Sequence, residues 1–428
     1  MASLKFNKNA VPLYVISLIP LWWILGFGFF IFHLSSIYIA AILKRNILPR
    51  DSVQLGILAL VAVLSVSLLY NSVVDDAGLS RIFGAFHNIT VLLVGYFHYS
   101  YLRYLLVRDE AWALQVSKQF SRVSLAAIVI AGPLAVLVFT GSASSLGVPT
   151  LLGAVTPPAE NLLGLYQKAD LIARNWFDGS DAPRLMALST NATASAALIA
   201  VSGFMGAGYI LSRRPSGFWV FLGLTLFVVA ATLTRATTLT AIAGVAVIML
   251  ARTRSRYYPI FLAAAPLVLI AAIYFIPEFL GRVNEMREGS SNARFLAYEY
   301  AYQLTMEQNP LIGVGVKPRI DELAIPVGSH STIFSALVRG GVLGALIAIL
   351  TFFAIPFISG LRIIRALVGN RAIFGEGLPY AVAALGGVPS VLAYCVLQDL
   401  DVYAPITAAF FMYLASLKYW ADRTRGAT

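Results

Sequence analysis

The sequence predicts an all-α fold, a polytopic membrane helical bundle of about twelve transmembrane helices with one large extracytoplasmic loop holding a short helix. Three observations predict it. Hydrophobic residues make up 59% of the 428-residue chain and charged residues 12%, about half the charged share of a soluble domain. Mean hydropathy is +0.80, and apolar runs long enough to cross a bilayer recur from end to end. Basic residues alternate from one connection to the next, as the positive-inside rule requires. Length therefore says little about domain number, and residues 1–428 read as a single integral membrane domain. The same rule accounts for most of the net charge of +11, so no nucleic-acid partner is expected. The single cysteine, Cys395, cannot form an intrachain disulfide. The first apolar stretch has no small-residue cleavage site and reads as an anchor, not a cleaved signal. No CxxC, HExxH, P-loop or GxSxG pattern is present.

In chain order, spans fall near 11–27, 28–43, 53–72, 82–104, 121–140, 185–210, 217–233, 237–251, 258–276, 331–358, 378–398 and 403–420. Residues 11–43 are one long helix or a tight pair broken at Gly26-Phe27-Gly28. Charge favours the pair. It puts Lys5 and Lys8, Lys44 to Arg50, Arg108 and Lys118, Arg213 and Arg214, Arg252 to Arg256, Arg362 to Arg371, and Lys418 to Arg425 on the cytoplasmic side, with both termini inside. The outer connections then include Asp75-Asp76, Asp399 with Asp401, and two long segments. Residues 141–183, with apolar Pro- and Gly-punctuated pieces and Trp176, are expected along the membrane interface. Residues 277–330 form a polar loop, in which Phe295, Tyr298, Tyr302 and Met306 recur at helical spacing between Arg294 and Met306. Loops of this length are usually functional or disordered, and the aromatic content argues against disorder.

The informative charges are arginines on the wrong side. Arg81, Arg184 and Arg235 stand where outer connections meet spans; Arg282, Arg287, Arg294, Lys317 and Arg319 lie in the large loop; Arg339 lies inside the tenth span. An arginine at membrane depth costs at least ~2.5 kcal/mol and calls for a compensating anion. Each one alone can snorkel or pair with a loop carboxylate such as Glu285 or Glu299. Several at one membrane face are suited to bidentate bonding of a phosphate or pyrophosphate. A second signal is His330, in Gly328-Ser329-His330-Ser331-Thr332, where the large loop enters an apolar helix. Ser329 is the expected N-cap. The helix dipole there disfavours imidazolium and keeps the ring neutral, as a base must be; the same helix end also suits an anion, and a polar cap is the plainer alternative. His33, His87 and His98 lie in apolar spans and are expected to be packed or hydrogen-bonded. For Gly341 and Gly344, close helix packing is the default.

His330-Ser331, nine residues, Gly341, two residues and Gly344 resemble the histidine motif of bacterial O-antigen ligases, H-[NSQ]-x9-G-x-x-G. Asn309-Pro310-Leu311-Ile312-Gly313-Val314-Gly315 is similar to the Pro-Leu-x-Gly-x-Gly stretch of the O-antigen ligase and Wzy-type polymerase superfamily. Asn292-Ala293-Arg294, Arg184-Leu185-Met186 and Thr234-Arg235 are similar to its loop arginine, the arginine opening the sixth span and its Ser/Thr-Arg pair. The resemblance is strongest over 181–345. Ser331 replaces the usual asparagine, and only Asn191 stands where Asn-Pro-Asn is common.

The resemblance implies a GT-C-like, metal-independent, inverting glycosyltransferase without cofactor, in the bacterial cell inner membrane with its site periplasmic. Its expected donor is an undecaprenyl-diphosphate-linked glycan, and its acceptor lipid A-core or a growing polysaccharide. Membrane lipid is the remaining partner. His330 would be the base, and Arg184, Arg235 and Arg294 would hold the diphosphate. Arg81, Arg282, Lys317, Arg319, Arg339 and Ser329 are weaker candidates for diphosphate or lipid. The foremost expectation is ligation of O-antigen to lipid A-core. Polymerisation of repeat units, transfer to protein and transport of lipid-linked sugar are the alternatives. Transport is disfavoured because no pair of similar halves with broken helices is seen.

Overall fold

A computed structural model describes residues 8–74, 78–159, 164, 166–174, 183–253, 288–320, 323 and 325–426. The expected span near 258–276, together with Arg282, Arg287, Glu285, Asp75-Asp76 and Trp176, lies outside the described residues. Among the described residues six helices are long and apolar enough to cross a membrane, and the architecture is that of a helical bundle.

The chain opens with α1 (Val11–Ser17) and α2 (Ile19–Leu25), each with proline in its first turn, where a missing N–H costs nothing. The break expected at Gly26-Phe27-Gly28 is present. Gly26 takes φ +79°, and a Cβ there would stand 2.5 Å from the Tyr166 carbonyl, so only glycine ends α2 here. The chain continues through α3 (Gly28–Leu43), α4 (Ser52–Val74), α5 (Leu79–Arg108) and α6 (Trp112–Phe139). Then comes a departure from the all-α expectation. The stretch after α6 carries a three-stranded antiparallel sheet, β1 (Leu146–Pro149), β2 (Lys168–Arg174) and β3 (Pro183–Leu185), with the short α7 (Leu151–Val155) after β1. Strands this short leave no periodic signal in a composition dominated by helices. The sixth expected span, 185–210, begins later: α8 runs Ala192–Arg213, because Arg184 and Leu185 are in β3 and Asn191 supplies the N-cap.

Next come α9 (Phe218–Ala231), α10 (Arg235–Thr253), α11 (Glu288–Gln308) and α12 (Thr332–Ile349). A π-helical turn, Leu350–Ala354, carries α12 into α13 (Ile355–Gly369). The apolar element that begins at Thr332 therefore runs to Gly369, beyond the expected end at 358. It is followed by α14 (Leu378–Gly386), α15 (Val388–Leu397) and α16 (Ala404–Arg423). The core is built by α5 on α16 and α6 on α8, packed closely through glycine. Gly95 admits the Phe411 ring, and Gly206 lies against the backbone of Ser121.

The two ends of the bundle differ in chemistry. One carries Arg103 between Asp51 (3.2 Å) and Asp422 (2.9 Å), the Arg423–Glu110 pair, and Arg371 bonded to the Ala251 carbonyl. The other gathers the starts of α8, α10, α12 and α16 with the ends of α4, α9 and α15.

At that second end the Pro310–Gly315 segment and the Gly341 region prove to be one device. Gly341, at φ +64°, kinks α12. The kink takes the amides of Val342 and Leu343 out of the helical ladder, and they donate to the carbonyls of Pro310 (2.8 Å) and Leu311 (3.3 Å). The Val338 carbonyl accepts from Val314 N–H (2.8 Å), and Asn71 Nδ2 donates to the Gly313 carbonyl (3.1 Å). Gly341 thus serves backbone conformation more than helix packing, the role expected for it; Gly340 is the residue laid against Leu64 of α4. A Cβ on Gly341 would meet the Leu311 carbonyl carbon at 2.3 Å, whereas one on Gly340 would meet side chains alone, Leu64 at 3.0 Å and Val63 at 3.3 Å. Gly341→Ala is therefore expected to lower the melting midpoint in detergent well below that of Gly340→Ala, with backbone strain alone costing about 1–3 kcal/mol. Equal midpoints in thermal unfolding of the two variants would remove the need for glycine at the kink.

Candidate functional site

His330 sits one residue ahead of the α12 cap with φ +64°, a left-handed conformation that histidine adopts more readily than most residues. The cap is Ser331, not the expected Ser329: Ser331 Oγ accepts from Phe334 N–H (3.4 Å), while the Ser329 amide donates to the Pro326 carbonyl (3.1 Å). The left-handed turn at His330 places the cap two residues on from Ser329 and directs the His330 carbonyl to Tyr298 Oη (2.7 Å). The Tyr298 ring lies flat on Phe334, with centroids 4.4 Å apart and planes 4° apart. Burial pushes the Tyr298 phenol up to about 12, so it stays a donor.

Tyr298 belongs to α11, the helix foreseen within Arg294–Met306, but the packed stripe differs from the expected one. The buried residues are Ala297, Ala301 and Thr305, while Phe295 is 72% and Tyr302 57% exposed. Small residues let α11 come close to α12, where Thr305 Oγ1 reaches the Leu337 carbonyl (3.5 Å) and the Ala297 carbonyl accepts from Gly328 N–H (3.3 Å).

The rest of the support comes from the connection between α15 and α16. Gln398 Nε2 is 3.3 Å from His330 Nδ1. Asp399 accepts from Ser331 N–H (3.2 Å) and pairs with Lys317 Nζ (2.6 Å). Thr332 Oγ1 donates to the Gln398 carbonyl (2.8 Å) and accepts from Leu400 N–H (3.1 Å). Asp401 pairs with Arg339, which is 3% exposed and also bonds Ser335 Oγ (2.8 Å). Burial works to raise the Asp401 carboxyl, but the charges of Arg339 and Lys317 outweigh it and hold it below the ordinary carboxylate value. Tyr403 Oη accepts from Asn191 Nδ2 (3.0 Å), which joins this connection to the start of α8.

The electrostatics keep the His330 ring neutral. Burial pushes it down to about 4, and the Arg294 and Lys317 charges act the same way, against Asp399 and the Gln398 bond. Arg294 and His330 therefore share one field. Arg184 lies half-buried in β3, paired with Ala173, just before the turn that leads to Asn191. α8 leaves this end of the bundle and α9 returns to it, so Arg235, half-buried in the first turn of α10, stands at the same end. Arg339 is occupied by Asp401, not by the loop carboxylates considered from sequence, and Lys317 by Asp399. Arg81 and Arg319 are exposed. The other histidines are hydrogen-bonded as expected: His98 to Ser35 (3.2 Å) and the Val94 carbonyl (2.8 Å), His33 to Thr90 (3.3 Å), and His87 to the Val402 carbonyl (3.4 Å).

Read from the sequence, Gln398 and Tyr403 carry no signal, and Asp399 and Asp401 mark a connection and not the site. The charges held a signal: Lys317 and Arg339, basic on the outer side, need carboxylates, and Asp399 and Asp401 flank one short outer connection.

A helical bundle with six membrane-length apolar helices among the described residues defines a polytopic membrane protein, and His330 shares its end of the bundle with Arg184, Arg235 and Arg294. Residues 219–349 match the family model described as O-antigen ligase, which supports placing the chain in the O-antigen ligase and Wzy-type superfamily. The matched stretch runs from α9 through α12 and contains Arg235, Arg294, the Pro310–Gly315 segment and His330. No curated protein matches the chain.

Proposed function

We propose that this chain is an O-antigen ligase: a metal-independent, inverting glycosyltransferase that joins an undecaprenyl-diphosphate-linked glycan to lipid A-core at the periplasmic face of a bacterial inner membrane. The observation that carries the reading is His330, half-buried just ahead of α12 with its ring bonded to Gln398 and held toward the neutral form by burial and the Arg294 charge, inside the stretch that matches the family. In the proposed reaction the acceptor hydroxyl oxygen attacks the anomeric carbon. The bond from that carbon to the diphosphate oxygen breaks, and the hydroxyl proton passes to His330. Arg184, Arg235 and Arg294 hold the diphosphate and neutralise the charge that grows on it. Arg81, Arg282 and Arg319 are assigned to the lipid or the outer phosphates, and residues 141–183 and 277–330 to the donor's surroundings. Lys317 and Arg339, held in ion pairs with Asp399 and Asp401, are assigned a supporting role for the segments around His330.

The test uses purified protein in nanodiscs, given the lipid-linked glycan with lipid A-core or with no added acceptor, in the presence of a chelator. A single transfer to lipid A-core is expected. A ladder of products without added acceptor would make the chain a polymerase. No product in either case would overturn the reading.

A further inference from the structure

Gln398 is buried, and its backbone is held on both sides. Its N–H donates to the Tyr394 carbonyl (2.8 Å) at the end of α15, and its carbonyl accepts from Thr332 Oγ1 (2.8 Å). Its amide therefore meets His330 Nδ1 from a fixed anchor, while the next residue, Asp399, holds the backbone amide that follows the histidine. Nothing in the proposed transfer uses this amide. It lies on one ring nitrogen, Nδ1, and leaves the transfer to be assigned to the other.

A primary amide carries a donor and an acceptor on opposite sides of one rotatable bond, and a neutral imidazole carries its proton on one nitrogen only. With the amide Nε2 toward the ring, as here at 3.3 Å, Nδ1 is the acceptor and the ring proton sits on Nε2. Turned by half a rotation, the amide Oε1 accepts from Nδ1–H, and Nε2 then carries the lone pair. Only the second arrangement lets Nε2 take a proton.

We propose that Gln398 is a positioning residue that selects the tautomer of His330, and that its amide rotation switches Nε2 between a proton-bearing and a proton-accepting state. An amide, unlike a carboxylate, serves either state without a net charge of its own. It leaves the imidazole uncharged between turnovers and still orients it. In the resting rotamer Nε2–H is a donor suited to an anionic oxygen; in the turned rotamer Nε2 accepts the acceptor's proton. This rests on His330 being the base of the transfer.

The experiment compares wild type, Gln398→Leu, Gln398→Glu and His330→Ala in nanodiscs, with the transfer assay as one readout and histidine 15N resonances as the other. The His330 signals are assigned by their loss in His330→Ala. Wild type is expected to show one dominant neutral tautomer at neutral pH. Gln398→Leu is expected to show mixed tautomers and a kcat lowered about tenfold or more, with KM for the donor little changed. Gln398→Glu is expected to keep transfer but to raise the acid limb of the pH profile by about one unit or more, because a carboxylate favours the imidazolium. Wild-type kcat and pH profile in Gln398→Leu, with His330→Ala inactive, would overturn the role of Gln398 and leave the base intact. Activity in His330→Ala would overturn the base reading itself. If Gln398→Leu does not fold, a wild-type pH profile in Gln398→Glu would still refute the proposal.

Discussion

Replacing His330 by alanine is expected to lower glycan transfer by about 10²- to 10⁴-fold while the protein stays folded, the usual loss when a positioned base is removed. The backbone of residue 330 is held through its carbonyl by Tyr298, and the following turn is capped by Ser331, so the substitution leaves those bonds in place. The pH dependence is a sharper check. Burial and then Arg294 push the free ring down to about 4, so the base is fully available at neutral pH and is lost only as pH falls through that value. The acid limb of kcat/KM, which reports the free protein, is expected near pH 4, well below the ordinary histidine value of ~6.5. An anionic donor bound at Arg294 offsets the arginine charge and raises the ring, so the limb of kcat is expected above that of kcat/KM. A kcat/KM limb at the ordinary histidine value would contradict a ring depressed by burial and the Arg294 charge. Full transfer by His330→Ala would remove the base altogether.

The second large effect is on stability. Arg339 and Asp401 pair out of contact with water, and cutting either side chain back to alanine leaves the other charge buried and uncompensated. Each single variant is expected to lose about 3–5 kcal/mol, whereas Arg339→Met with Asp401→Leu together recovers most of it. Melting midpoints in one detergent read this directly. Equal midpoints for the single and the double variants would mean that water reaches the pair. Because the Asp401 carboxyl is held below its ordinary value, its stabilising contribution is present at neutral pH and is lost only as pH falls through the depressed folded value. The pair also anchors the connection that carries Gln398, so the singles are expected to lose transfer along with stability.

Several features were legible in the sequence because they depend on local composition. Apolar runs announce helices wherever the chain meets them, and Gly26-Phe27-Gly28 announces its break through residues that permit one. Arg184, Arg235 and His330 stood out as polar groups where an apolar environment makes them costly. The α11 stripe was misread from spacing. Aromatic residues suggest a buried face, but here Ala297, Ala301 and Thr305 allow the close approach, and the rings of Phe295 and Tyr302 are left outside. The cap was misplaced by two residues because His330 takes a left-handed turn, which no residue type in Gly328–Thr332 forces on its own.

The sequence by itself determined the helical membrane class, the end of the bundle where the unusual charges gather, and the histidine among them. Each follows from what single residues cost in an apolar medium, and that can be reckoned without knowing their neighbours. Only the tertiary structure decided the partners. It sets Gln398 and Asp399 beside His330 and Ser331, Asp401 on Arg339, and the carbonyls of Pro310 and Leu311 on the amides freed by Gly341. These contacts join segments up to about seventy residues apart, through hydrogen bonds whose geometry exists only once α11, α12 and the α15–α16 connection have packed together.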